Sequence, residues 1–289
     1  MGGKRASERE AAYLAVIGGG NMARAIVEGG IRAGVLDADR VIVADPDEAK
    51  HDAFRRAVRT ASEAVRFVEE REPEPGVGQV LLAVKPQMLG AVGRELLHEV
   101  GELDRVVISI LAGMPSGRVR QELGGKARVI RVMPNTPAAI GMGMTAIASS
   151  PGVGEGSASD ADRDLCRSLF EAIGKTVEIP ESMIDAFTGV AGSGPAYVFY
   201  LAEAMEAAAR RLGFEEAEAR TIVMQTVLGA ARLLSESGEK PQDLRARVTS
   251  RGGTTAAATG VMDEAGFLEM MIAAIRAARD RGAELAEGA

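Results

Sequence analysis

Two stretches of this sequence set residue types at spacings that can do chemistry. The first is Gly18-Gly19-Gly20-Asn21-Met22-Ala23, which fits the pattern G-x-G-x-x-A between a strand and a helix. Gly18 permits a sharp turn, Gly20 lets the backbone approach a pyrophosphate, and the small Ala23 lets the helix lie close to a sheet. Unpaired N–H groups at the helix start then face phosphates. A ligand-free strand–helix turn would show the same glycines, but placement directly after the first strand favours a dinucleotide. The second stretch is Val248-Thr249-Ser250-Arg251-Gly252-Gly253-Thr254-Thr255-Ala256, between helical segments. N–H groups at a helix start, flanked by hydroxyls, can hold a carboxylate without any cation. The plainer possibility makes Ser250 or Thr254 a helix cap.

The strand after the glycine turn ends at Asp45, where an acid commonly bonds the adenosine ribose hydroxyls. Asp45-Pro46-Asp47-Glu48 offers a 2′-phosphate only negative charge, although Lys50, His51 and Arg55 follow. This leans toward NADH and predicts that Asp45→Ser or Asp45→Ala shifts preference toward NADPH. Asp45 could instead cap the next helix. Three later strand ends read Ala83-Val84-Lys85-Pro86-Gln87, Ser109-Ile110-Leu111-Ala112-Gly113-Met114 and Met133-Pro134-Asn135-Thr136-Pro137. Ligands of open parallel sheets gather beyond such ends, and small residues there allow main-chain contacts to a flat ring. Each could also be ordinary turn chemistry. Lys85 could act through its side chain or its backbone, or be a solvated lysine.

What is missing narrows the chemistry. Reduction of a ketone leaves an alkoxide that needs a proton donor, usually His, Lys or Tyr. The C-terminal third has no histidine, and its sole lysine, Lys240, falls in a polar turn, leaving Tyr197 and Tyr200. A cyclic imine makes a smaller demand: as an iminium it arrives protonated on nitrogen and electrophilic at carbon. Placing a hydride donor and holding the ring are then sufficient. With two histidines, His51 and His98, and one cysteine, there is no ligand set for zinc or iron.

These residues need a scaffold, and the 289-residue chain can supply one or two cores. Strands are predicted at Tyr13–Ile17, Arg40–Val43, Val65–Val68, Val80–Val84, Val106–Ile110, Val129–Met133, Thr145–Ala148 and Thr176–Ile179. Their short Val/Ile/Leu runs suit strands covered on both faces. Helical patterns lie between them at Met22–Ala33, Pro86–Glu99 and Asp160–Ala172; the last carries Cys166 as a packing residue. After Pro180 strand signals stop, and helical spacing dominates Ala196–Leu212, Glu215–Glu236 and Phe267–Leu285. The expected fold is α/β: a Rossmann-type doubly wound sheet, residues 1–180, followed by an all-helical domain, residues 181–289. Long Ala-rich helices also hint at self-association.

Met1 to Ala12 reads as a polar, frayed lead-in without a secretion signal. No apolar run suits a membrane span. The net charge of −7 comes from scattered residues with no basic stripe, so nucleic acid is not an expected partner. The lone cysteine precludes an internal disulfide and fits a reducing cytoplasm.

From Tyr13 to about Leu285 the sequence resembles the pyrroline-5-carboxylate reductases. The pieces that carry the resemblance stand in family order: Gly18–Ala23, Ala83–Gln87, Met133–Pro137, Gly192-Ser193-Gly194-Pro195-Ala196-Tyr197 and Thr249–Thr255. The last two are specific to the family; the first is shared with many dehydrogenases. The resemblance implies reduction of L-1-pyrroline-5-carboxylate to L-proline with NADPH or NADH, the last step of proline biosynthesis. It implies that Ser250, Gly252, Gly253, Thr254 and Thr255 hold the carboxylate, with the Thr255 hydroxyl on the ring nitrogen as the catalytic contact. It places Gly18, Gly19, Gly20, Asn21, Met22 and Asp45 on the cofactor, and Ala83, Val84, Lys85, Pro86, Ala112 and Gly113 toward its nicotinamide ribose. Asn135 lies beside the ring. It also implies a homodimer, often assembled into a decamer of five dimers.

Departures from the family pattern are Asp45 and Asp47 after the second strand, Glu69-Glu70-Arg71-Glu72 where an adenosine-facing Asn commonly follows the third strand, Arg251 and Thr259. A β-hydroxyacid dehydrogenase would carry a helix-borne lysine within Gly192–Leu212, and none is present. A reductase of six-membered cyclic imines is barely separated by these residues from one of five-membered rings. A nucleotide-sensing module without catalysis fits less well, because Ser250–Thr255 is intact; a turnover assay separates it from an enzyme.

Overall fold

The computed structural model describes residues 12–72, 79–149 and 158–287. The lead-in, apart from Ala12, lies outside these residues. Eight strands form one sheet: β1 (Leu14–Ile17), β2 (Val41–Ala44), β3 (Ala57–Val58), β4 (Gln79–Leu82), β5 (Val106–Ser109), β6 (Arg128–Met133), β7 (Gly143–Ser149) and β8 (Gly174–Pro180), in the order β3-β2-β1-β4-β5-β6-β7-β8. All pairings are parallel except β6 with β7. Strand order reverses at β1, which lies between β2 and β4. This is the switch point where doubly wound sheets open a crevice at their carboxyl ends.

Covered strands are apolar on both sides, and the alternation assigns each side chain to a layer. Ala15, Ile17, Val80, Leu82 and Val107 pack with Ala61, Val65 and Val68 of α2 (Ala61–Glu69) and with Leu89 and Leu96 of α3 (Leu89–Glu99). Leu14, Val16, Leu81, Val106 and Ile108 face the other way. They meet Ala23 and Ile26 of α1 (Asn21–Arg32) and Cys166, Leu169 and Phe170 of α5 (Asp160–Glu171). Burial pushes the Cys166 thiol up to about 12, so it packs as an apolar group. Between these helices, α4 spans Ser116–Glu122.

The expected strand at Val65–Val68 is part of α2. Thr60 accepts from the Glu63 N–H, and Glu63 returns a bond to the Thr60 N–H, forming a capping box. Ala61, Ala64, Val65 and Val68 then fall on one buried helical face. The third strand is the two-residue β3. Glu69 therefore ends a helix and Glu70 to Glu72 follow it, and the departure drawn from those residues does not stand at a strand end.

After a four-residue helix α6 (Ile184–Phe187), the backbone widens into a π-helical turn over Thr188–Gly192. The helices α7 (Gly194–Arg211), α8 (Glu216–Ser237), α9 (Pro241–Arg247), α10 (Thr254–Glu264) and α11 (Phe267–Glu287) complete the chain. Lys240, expected in a turn, is the N-cap of α9, with Pro241 opening the helix. Two compact units result. One runs through Gly192 and takes in the segment from Ala278 onward; the other is Ser193–Ala277.

Candidate active site

The glycine turn is shaped by its neighbour across the switch point. Gly18 has φ +105°, and a Cβ there would lie 2.7 Å from the Ala83 carbonyl oxygen. Both strand ends are also tied to β1 and β2: Gly18 N–H donates to Ala44 O, and Ala83 N–H donates to Ile17 O, each at 2.8 Å. Only glycine combines that φ with that proximity. Gly20, the N-cap of α1, is different: space above it is open, no side chain caps the helix, and its first turn carries no acid. Open N–H groups at a helix start with no acid in its first turn fit a pyrophosphate.

Asp45 is buried beneath this turn. Its Oδ2 accepts from Gly19 N–H at 2.8 Å, its Oδ1 accepts from Asp47 N–H at 2.9 Å, and Lys50 Nζ reaches both oxygens at 3.0 Å. Burial raises its pKa, but these backbone and ammonium donors outweigh burial and hold the carboxyl below its usual range. His51 does not point outward either; its Nε2 lies 2.7 Å from the Asp45 carbonyl oxygen. Because that carbonyl can only accept, Nε2 carries the proton.

The other strand ends line two cavities of the same unit. Pro86, Gln87, Ala112 and Met114 border one of about 770 Å³, and Asn21, Met22 and Thr136 border another of about 590 Å³. Lys85 is exposed and occupies the N-cap of a short 3-10 turn, Pro86–Met88. Ala83 and Val84 are half-buried, and Gly113 is buried with φ +71°. Asn135 is buried with both ends of its amide engaged: Nδ2 donates to Ala191 O at 2.9 Å, and Oδ1 accepts from Met144 N–H at 2.8 Å. Its side chain ties the turn after β6 to β7 and to the π-helical turn.

A long-range link steadies the loop between Ala112 and Ser116. Glu181 accepts from Ser116 N–H at 2.7 Å and from its hydroxyl at 2.6 Å, so it caps α4 from a distance. The buried Arg131 lies 3.6 Å from Glu181 and 3.0 Å from Asp185. A separation of 65 residues leaves no local sequence pattern to find such a cap by.

The other unit carries the Ser250–Thr255 turn. Gly252 has φ +74°, Gly253 N–H donates to Ser250 O at 3.0 Å, and the Ser250 hydroxyl lies directly against Gly253. Gly253 is the N-cap of α10 and offers no side-chain cap, and the first turn has no acid. Neither Ser250 nor Thr254 therefore acts as the side-chain cap, and the helix start keeps its N–H groups for an anion. Thr255 is half-buried in the first turn, and the Thr259 hydroxyl donates to its carbonyl at 3.0 Å.

A family model described as pyrroline-5-carboxylate reductase dimerisation matches residues 181–285. One described as NADP oxidoreductase, coenzyme F420-dependent, matches residues 13–113. The dimerisation match, with the exposed Phe199, Tyr200, Leu228 and Leu268 on its helices, marks a self-association segment. Among the described residues no helix is long and apolar enough to cross a membrane. The fold matches that of Plasmodium falciparum pyrroline carboxylate reductase with NADP bound at TM-score 0.82, over 96% of this chain and 99% of that one, at 24% identity. The Coxiella burnetii pyrroline-5-carboxylate reductase structure matches at TM-score 0.80 and 33% identity over 96% and 99% of the two chains. The Synechocystis sp. pyrroline-5-carboxylate reductase is 40% identical over 274 residues, 94% of this chain and 97% of its own. Identity at this level along nearly the whole of both chains means that this chain belongs to the pyrroline-5-carboxylate reductase family.

Proposed function

We propose that the chain reduces L-1-pyrroline-5-carboxylate to L-proline, the last step of proline biosynthesis, with NADPH or NADH. One observation carries the reading: 40% identity extends over 94% of this chain and 97% of a reductase of that name, so neither the sheet nor the helices are an unrelated addition. Residues 1–180 bind the dinucleotide, and residues 181–289 bind substrate and dimerise.

The open N–H groups at α1, between Gly20 and Met22, receive the pyrophosphate, with Gly18 and Gly19 shaping the approach. The backbone of Ala83–Pro86 and of Ala112–Gly113 flanks the nicotinamide ribose, and Asn135 holds the turn beside the ring. When bound, the cofactor supplies the hydride. Ser250 and the turn Gly252–Thr255 hold the substrate carboxylate at the uncapped start of α10, and the Thr255 hydroxyl bonds the ring nitrogen. Because that nitrogen arrives protonated, no side chain has to deliver a proton to it. The chain's work is orientation.

The protein acts in the cytoplasm as a homodimer, five of which assemble into a decamer. Sedimentation equilibrium would read the subunit count. The activity is tested by following NADH and NADPH oxidation with five- and six-membered cyclic imino acids and with open-chain keto acids. Fast turnover of the five-membered ring is expected; turnover confined to open-chain carbonyl compounds overturns the reading.

A further inference from the structure

The acid at the end of β2 faces the wrong way for the role its position suggests. A carboxylate offers about four acceptor positions. Here Gly19 N–H, Asp47 N–H and two contacts from Lys50 fill them, and only 8% of the Asp45 side chain is exposed. A ribose diol could reach Asp45 only by displacing Lys50. Lys50 has the opposite aspect: 42% of its side chain is exposed, and two of its three ammonium protons are engaged by Asp45. Among the described residues the third has the Asp47 carboxylate at 3.8 Å, beyond hydrogen-bond reach. The other cations after β2 are otherwise held: Arg55 by Asp39 at 2.8 Å, Arg56 by Asp39 at 3.3 Å, Arg59 by Glu48 at 3.1 Å, and His51 by the Asp45 carbonyl.

We propose that Asp45 is a positioning residue that clamps the glycine turn through Gly19, and that Lys50, seated on it, receives the cofactor's 2′-phosphate. The pair cancels the buried charge at the end of β2 and turns the ammonium outward, with the Asp47 carboxylate 3.8 Å from it. That reverses the expectation, drawn from charge alone, that Asp45 favours NADH and that removing it favours NADPH. This inference rests on the reading of Gly18–Ala23 as the dinucleotide turn, and the experiment separates the two.

Binding of 2′,5′-ADP and of 5′-AMP to the full-length protein is measured by calorimetry, alongside kcat and KM for NADPH and NADH. Lys50→Met is expected to weaken 2′,5′-ADP about tenfold, the worth of one charge-assisted hydrogen bond, while 5′-AMP and the NADH KM stay within twofold. Lys50→Arg should restore most of the loss. Asp45→Asn should raise the KM for NADH by loosening the glycine turn, and raise that for NADPH at least as much, because Lys50 also loses its seat. Should Asp45→Asn fold poorly, the Lys50 variants decide alone. Equal 2′,5′-ADP affinity in parent and Lys50→Met overturns the inference, as does an NADPH gain in Asp45→Asn. A parent protein that binds neither nucleotide overturns the dinucleotide reading itself.

Discussion

Gly18 and Gly253 each belong to a turn in front of a helix, and each has a close neighbour where a Cβ would stand. At Gly18 the neighbour is backbone, the Ala83 carbonyl, and φ is +105°. At Gly253 it is the Ser250 hydroxyl, the end of a rotatable side chain, and φ is −80°. The first turn is locked on three sides, by Ala44 O, by Ala83 and through Gly19 by Asp45. The second is closed by the bond from Gly253 N–H to Ser250 O, among exposed and half-buried residues. Two turn glycines thus work differently: one fixes a shape before any ligand arrives, and the other keeps a hydroxyl close to open N–H groups and leaves it adjustable.

Breaking the locked turn should cost most. Gly18→Ala forces a side chain into a left-handed conformation against backbone that is itself hydrogen-bonded, a loss of about 3 kcal/mol or more. Chemical denaturation should show it, and cofactor binding should fall with it. A variant of unchanged stability would mean that the turn relaxes as freely as the other. Gly253→Ala tests the second turn. Its φ suits alanine, so stability should stay within about 1 kcal/mol. Turning Ser250 aside removes a hydrogen bond to a charged group, worth about 1.5–3 kcal/mol, and lowers kcat/KM roughly 10- to 150-fold. An NADH KM that rises equally would break the separation of the two turns.

Thr255→Ala sharpens the comparison further. Losing one hydroxyl contact should lower turnover about tenfold with NADH affinity nearly intact, since the proposed role of Thr255 is toward the substrate. Unchanged turnover removes Thr255 from the site. The smallest effect belongs to Cys166, in the packed layer behind α1. Its thiol pKa is raised from 9.0 to about 12 by burial, so the folded state keeps its proton after the unfolded chain has lost it. The resulting contribution to stability is present below pH 9 and is lost as pH rises from 9 toward 12. Thiol-reactive reagents at about pH 8 should label the protein only as fast as it unfolds.

The sheet was readable because covered strands have nowhere to put polar residues; β1, β4 and β5 announce themselves as short apolar runs. Val65–Val68 has the same look, yet Thr60 and Glu63, just upstream, decide for a helix. The glycine turn was readable because its conformation admits so few residues. The partners of Asp45 were not, since they depend on how a lysine five residues later folds back. Glu181 and Ser116 meet across 65 residues, a pairing that only the tertiary fold creates.

The sheet-bearing unit is discontinuous in sequence, taking its last piece from Ala278 onward at the far end of α11. Gly282 there sits against Asp185, close enough that a Cβ would come within 3.6 Å of its side chain. No single backbone cut can therefore release both units whole. During synthesis, the sheet-bearing unit emerges from the ribosome first but lacks that closing segment until the helices of Ser193–Ala277 have been made.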